Sequence, residues 1–288
     1  MERSIATQDQ KPAPLDQEHE EQEMSFLDHL EELRWHIIRS LLAIAIFAIV
    51  AFVSKDIIFG QVILGPSKAD FWTFRMLCEL SSVIGVDAFC IEKLPFIIQS
   101  RQMTGQFMMH ITSSFVIGLI LAFPYTFWEI WRFVKPGLYP RERRAARGAT
   151  FYVSFLFLLG VTFGYWIITP ISVYFLTNYQ IDPSILNEID IISYVSLVTT
   201  LVLACALLFQ MPVLTFFLTK AGLITPALMR KYRKHAIVGI LILAAVVTPP
   251  DVFSQVLIAI PLVMLYQISI MISRRVLKRD STEEITTT

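Results

Sequence analysis

Long uncharged stretches alternate with short polar segments along most of this chain, and their lengths define its elements. The longest, residues 235–273, holds 39 residues without Lys, Arg or Glu and is interrupted near its middle by Thr248-Pro249-Pro250-Asp251. A membrane-crossing helix needs about 20 apolar residues, so this length corresponds to two crossings. Two consecutive prolines remove two backbone donors and forbid a continuous helix. The pattern predicts a hairpin of two short spans with Asp251 at the turn. The arm before the prolines is shorter than an ordinary crossing, which calls for a thinned bilayer or protein cover at that end.

Four other apolar stretches come first, at residues 40–54, 102–128, 148–181 and 191–219. The whole reads as an all-α integral membrane protein with six spans, at about 36–58, 105–131, 148–170, 191–219, 235–249 and 252–273. Phe26, Leu30, Leu33 and Ile37 recur at helical spacing, so an amphipathic helix is expected to run into the first span. Pro66 should end that extended helix, and Pro170 marks the exit of the third span. Pro124, Pro170, Pro212 and Pro261 interrupt the hydrogen-bond ladder and predict kinked or tilted helices.

Composition agrees with this class: 55% hydrophobic residues, 22 Phe and a mean hydropathy of +0.60. A net charge of zero gives no argument for nucleic-acid binding. Basic residues fix the expected orientation. They crowd the loop after the second span (Lys135, Arg141, Arg143, Arg144, Arg147), the loop after the fourth (Lys220, Arg230, Lys231, Arg233, Lys234) and the C-terminal end (Arg274, Arg275, Lys278, Arg279). The segment 171–190 and the Pro-Pro turn have none, so both termini are expected in the cytoplasm. Residues 1–24 are rich in acids and match neither a signal peptide nor a transit peptide; they and residues 276–288 read as disordered tails flanking a membrane domain at 25–275.

Cys205, within the fourth span, reads as a small apolar core residue. Cys78 and Cys90 share the long first outer loop; an oxidising compartment would permit a disulfide there, and spacing alone does not decide it. The chain shows no metal-ligand spacing of Cys and His, no glycine-rich phosphate loop and no nucleophile elbow, and no enzyme chemistry or cofactor is expected.

Polar residues concentrate at the membrane boundary instead. In Phe26-Leu27-Asp28-His29-Leu30-Glu31-Glu32-Leu33-Arg34, Glu31 and Arg34 are placed to pair along one face, whereas Glu32 and Arg34 point to different sides. Either these charges are simply solvated, or Glu32 is left to receive a cationic partner. Glu142 stands among Arg141, Arg143, Arg144 and Arg147; it pairs with a neighbour or serves as a second acceptor for a guanidinium, a contact strengthened by bidentate geometry. Within the spans, Gln210 and Gln255 either hydrogen-bond between helices or line a polar cavity.

Four of these segments together resemble the TatC family of the twin-arginine protein translocation pathway. They are His29-Leu30-Glu31-Glu32-Leu33-Arg34, Trp131-Arg132-Phe133, Leu138-Tyr139-Pro140-Arg141-Glu142-Arg143-Arg144 and Thr248-Pro249-Pro250-Asp251-Val252-Phe253-Ser254-Gln255, continuing to Ala259-Ile260-Pro261. The resemblance covers residues 25–275 and is weakest between 67 and 105. It implies a cup-like fold in the bacterial inner membrane and a receptor that binds twin-arginine signal peptides of folded proteins. Glu32 and Glu142 would accept the paired arginines, with Leu33, Arg34 and Phe133 completing the surface. Asp251, Gln210 and Gln255 would be intramembrane or partner-contact residues, and Pro66, Pro124, Pro249 and Pro250 structural ones. Single-span partners of the TatA and TatB type, self-association and export driven by the proton-motive force are implied as well. The family commonly has glutamate where this chain has Gln210, so only hydrogen bonding survives at that position. The rival reading is a small-solute secondary transporter using Gln210 and Asp251, which predicts inverted repeats; none is visible, and the acids cluster at the edges. A third is an assembly scaffold without signal contact.

Overall fold

In the computed structural model, residues 26–85, 90, 94, 96–135, 148–182, 184–185, 187–247 and 252–286 are described. The amphipathic entry and the first apolar stretch share one helix, α1 (Phe26–Val53), because no Gly or Pro interrupts the run. Beyond it the chain tightens through Lys55–Ile57, a π-turn at Ile58–Ile63 and a 3-10 turn at Gly65–Ser67, where Pro66 is buried. Helix α2 (Trp72–Ile84) follows in the outer loop and stops at Gly85, whose φ of 73° is the left-handed geometry that glycine adopts without strain. Strand β1 (Ile97–Gln99) precedes α3 (Gly105–Val134). Helix α4 (Ala149–Phe163) passes through a π-turn at Gly164–Ile168 into α5 (Thr169–Asn178). Strand β2 (Glu188–Asp190) then leads to α6 (Ile191–Leu208), α7 (Met211–Lys220), α8 (Pro226–Lys231), α9 (Arg233–Val247) and α10 (Val252–Thr286).

Five helical stretches are long and apolar enough to cross a membrane: Glu31–Val53, Gly105–Val134, Ala149–Asn178, Ile191–Lys220 and Ser254–Lys278. The sixth expected span is helix α9, whose 15 residues extend about 22 Å at 1.5 Å per residue, short of the roughly 30 Å hydrocarbon core. Five stretches among the described residues therefore meet the length criterion, against six expected. Pro249, Pro250 and Asp251 lie outside the described residues, as does the 1–24 segment.

Two boundaries differ from expectation. Helical structure continues past Pro170 to Asn178, because the π-turn before it widens the ladder and places Pro170 in the first turn of α5, where its missing N–H costs nothing. At the other end, α10 runs on to Thr286, so most of the 276–288 segment expected to be disordered is helical. No Gly or Pro follows Pro261 to stop it. Pro124 and Pro261 sit inside continuous helices, whereas Pro212 follows a genuine break at Phe209-Gln210.

Lipid is as apolar as the side chains, so helices in it associate through close packing of small residues rather than through burial. A Cβ on Gly118 would stand 2.5 Å from the Ala48 backbone nitrogen, which shows how closely α1 and α3 cross. Gly160 meets Cys205 and Ala206 on α6 in the same way, and Cys205 is buried, as expected. Large apolar residues such as Leu41, Leu42, Ile46, Ile49 and Val53 stay exposed along α1 and would face lipid. Two buried clusters fill the interior: one around Ile168, Leu201, Ile258, Leu262 and Tyr266, the other around Ile63, Val173, Tyr194 and Val198. A hydroxyl pair, Ser172 and Ser254 at 2.8 Å, joins α5 to α10 in the buried interior. Interhelical hydrogen bonds of this kind contribute about 0.6 kcal/mol on average, so Ser254→Ala is expected to lower stability by about that amount in detergent denaturation. A loss above about 2 kcal/mol would show the pair to be more than a local tie.

The connection between α1 and α3 meets the one between α5 and α6. Strands β1 and β2 pair in parallel, with Ile97 opposite Glu188 and Gln99 opposite Asp190, and Arg101 lies 3.7 Å from Glu188. Tyr194 donates to the Ile63 carbonyl at 2.8 Å and Tyr165 to the Val62 carbonyl at 2.8 Å, seating the turn that carries Pro66. Phe71 stacks on Trp166 with ring centres 5.0 Å apart. Cys78 and Cys90 are joined in a disulfide, which settles the alternative left open by spacing. The side-chain hydroxyl and backbone N–H of Ser184 both donate to Asp182 and hold its carboxyl below the usual range.

Candidate functional site

Helix α1 delivers its polar entry to the same end of the fold that α3 reaches at its C-terminus. Helical spacing places Glu32 and His36 one turn apart, and the ring Nε2 of His36 lies 3.9 Å from Glu32 Oε1. On the facing helix, Tyr125 and Glu129 are also one turn apart, and the tyrosine hydroxyl donates to Glu129 Oε1 at 2.9 Å. The two helices meet where His36 Nδ1 lies 2.5 Å from Glu129 Oε2. Glu129 is 2% exposed and His36 5%, whereas the Glu32 side chain is 42% exposed.

Four polar groups therefore form one chain of contacts, Tyr125, Glu129, His36 and Glu32, with the buried Glu129 and His36 at its middle. The Phe133 ring stands beside it, 6.1 Å from the His36 ring. Arg132 lies 5.8 Å over the Trp128 ring, in cation–π range. Leu33 is half-buried and Arg34 exposed, as is Glu31. Of the residues singled out in the sequence, Glu32 and Phe133 are thus brought together around one imidazole, while Glu142 lies outside the described residues. Among the described residues, this places the partly exposed Glu32 carboxylate beside the His36 and Phe133 rings.

Sequence reading missed Glu129 and gave His36 only a snorkelling role. Glu129 lies just beyond the uncharged run that ends at Trp128, and it reads there as a boundary charge. A signal was available: a carboxylate at i+4 from Tyr125 and i−4 from Phe133, on the face that meets α1. Elsewhere, Gln210 Nε2 donates to the Val153 carbonyl at 3.3 Å and Gln255 Nε2 to the Leu241 carbonyl at 3.1 Å, both between helices. Gln210 Oε1 has no hydrogen-bond partner among the described residues. Next to it, an apolar cleft of about 420 Å³ opens between α4, α7 and α10, lined by Val153, Leu156, Pro212, Val213, Phe216 and Leu265.

Apolar helices of spanning length, with a cluster of polar groups where α1 meets the C-terminal end of α3, define a multi-pass membrane protein. Residues 28–261 match the family model described as Sec-independent protein translocase protein (TatC), and the chain belongs to that family. It is 41% identical over 262 residues to the Sec-independent protein translocase protein TatC of Blattabacterium sp. subsp. Periplaneta americana (strain BPLAN), covering 90% of this chain and 98% of the relative. It is also 31% identical over 252 residues to TatCy of Bacillus subtilis (strain 168), covering 88% and 89%. A crystal structure of the twin arginine translocase receptor TatC superposes with a TM-score of 0.63 at 30% identity, over 86% of this chain and 99% of that one. The protein is thus a non-enzymatic component of Sec-independent translocation in the bacterial inner membrane. These relatives give the small-solute transporter no support.

Proposed function

We propose that this protein is the receptor subunit that binds twin-arginine signal peptides and gathers TatA-type, and where present TatB-type, single-span partners for export driven by the proton-motive force. The observation that carries the reading is the meeting of Glu32 and Phe133, distant in sequence, around His36 at one end of the fold. Glu142 follows Phe133 by nine residues in the chain and supplies the second carboxylate of the site. Two carboxylates beside an aromatic ring suit two guanidinium groups, which are planar, permanently charged and stack on rings, better than two ammonium groups. The site faces the cytoplasm with both termini, and six crossings are completed by α9, its short length met by thinning of the bilayer. Partner helices pack against the lipid-facing sides of the spans.

Glu32→Ala and Glu142→Gln are expected to abolish export of a twin-arginine reporter while leaving the protein at its normal level in the membrane. Each removes one charge-assisted contact, worth roughly a hundredfold in signal affinity. Export at the wild-type rate by either variant would refute the assigned site.

A further inference from the structure

A pair of ionisable side chains buried between two membrane-embedded helices is kept only where each satisfies the other or serves a further purpose. Glu129 and His36 are both almost fully buried and sit 2.5 Å apart, and the ring's other nitrogen lies 3.9 Å from the half-exposed Glu32. We infer that His36, anchored by Glu129, is a positioning residue that fixes the Glu32 carboxylate for a guanidinium and so supplies selectivity for arginine over lysine. This rests on the reading of Glu32 as an acceptor for a signal arginine.

The geometry supports it link by link. Tyr125 holds one oxygen of Glu129 at 2.9 Å, and His36 Nδ1 holds the other, so the buried carboxylate is fixed at both ends. The ring is fixed in turn, because its Nδ1 is tied and Phe133 stands against it. The ring's Nε2 stands 3.9 Å from Glu32 Oε1, a close polar contact rather than a hydrogen bond, so the tethered ring bounds the space in which that carboxylate can settle. A glutamate one turn away on the same helix would otherwise sample several rotamers; here its outer end has a neighbour to settle against.

Selectivity follows from the shapes of the two cations. The guanidinium fork needs acceptor oxygens held in one plane, whereas an ammonium accepts any arrangement of acceptors around a point charge. Loosening Glu32 therefore costs arginine more than lysine.

The test is a titration of full-length protein in detergent with a twin-arginine signal peptide and its twin-lysine counterpart. The variant is His36→Leu combined with Glu129→Leu, since replacing both partners by apolar residues leaves no lone charge buried. Expected is a normal membrane level and an arginine-to-lysine affinity ratio lowered about tenfold, through weaker arginine binding. Glu129→Gln, which still offers an oxygen to Nδ1, should keep most of the ratio. An unchanged ratio, or an equal loss of both peptides, overturns the inference. Should the double variant fail to reach the membrane, His36→Gln is titrated instead; it reaches only one carboxylate at a time, and an unchanged ratio there is equally fatal. Glu32→Gln separates the two claims. If it binds the twin-arginine peptide like wild type, the reading of Glu32 itself fails; if it loses binding while the double variant keeps its ratio, the positioning role alone fails.

Discussion

Glu129→Ala is expected to deplete the protein from the membrane and to lower its stability by about 3–5 kcal/mol, the range found when one partner of a buried ion pair is removed. The reason is local. The substitution leaves His36, 5% exposed, without the partner of its Nδ1, and it also removes the acceptor of the Tyr125 hydroxyl. Glu129→Gln retains an acceptor oxygen and should lose only about 1–2 kcal/mol. The measurement is thermal or denaturant unfolding in a mild detergent, alongside the amount of protein in isolated membranes. A Glu129→Ala protein that melts with the wild type would show that the pair contributes nothing to the fold.

The second large effect is steric. A side chain at Gly118 would place Cβ 2.5 Å from the Ala48 nitrogen and 2.7 Å from its Cα, and at Gly160 it would meet the Cys205 carbonyl oxygen at 2.7 Å. These neighbours are backbone atoms, so they cannot rotate aside, and the helices must separate. Gly118→Val and Gly160→Val are each expected to lose about 3 kcal/mol or more, at the upper end of overpacking costs. Gly239 on α9 is the internal control: nothing lies within 4 Å of the point where its Cβ would stand, so Gly239→Ala should be neutral or stabilise by up to about 1 kcal/mol through helix propensity. Equal stability for Gly118→Val and Gly239→Ala would mean that the close crossing of α1 and α3 is not what holds the bundle.

Much of the architecture is legible in the sequence because length and charge act one residue at a time. The uncharged runs at 102–128 and 191–219 coincide with α3 and with α6 and α7, and the break before Pro212 falls where that proline demands it. The entry through Phe26, Leu30 and Leu33 is part of α1, since the same 3.6-residue period continues into the span. What stays hidden depends on meetings between distant segments. The spacing of Tyr125, Glu129 and Phe133 puts the three on one helix face, but it does not name the partner, so the pairing of Glu129 with His36 on another helix emerges only on folding. The disulfide needs the backbone to bring Cys78 and Cys90 together. The third helical stretch outruns its expected length because a π-turn at Gly164–Ile168 can accommodate Pro170, and no residue pattern announces such a turn.

The parallel pairing of β1 with β2 bears on how the molecule is made. Ile97 emerges early during synthesis, whereas Glu188 emerges only after two further spanning stretches have been laid down. The first segment must therefore wait for its strand partner until the later one has been made. Closure of this ribbon is a late event in biogenesis, and a chain arrested before residue 188 would leave that segment without its strand partner.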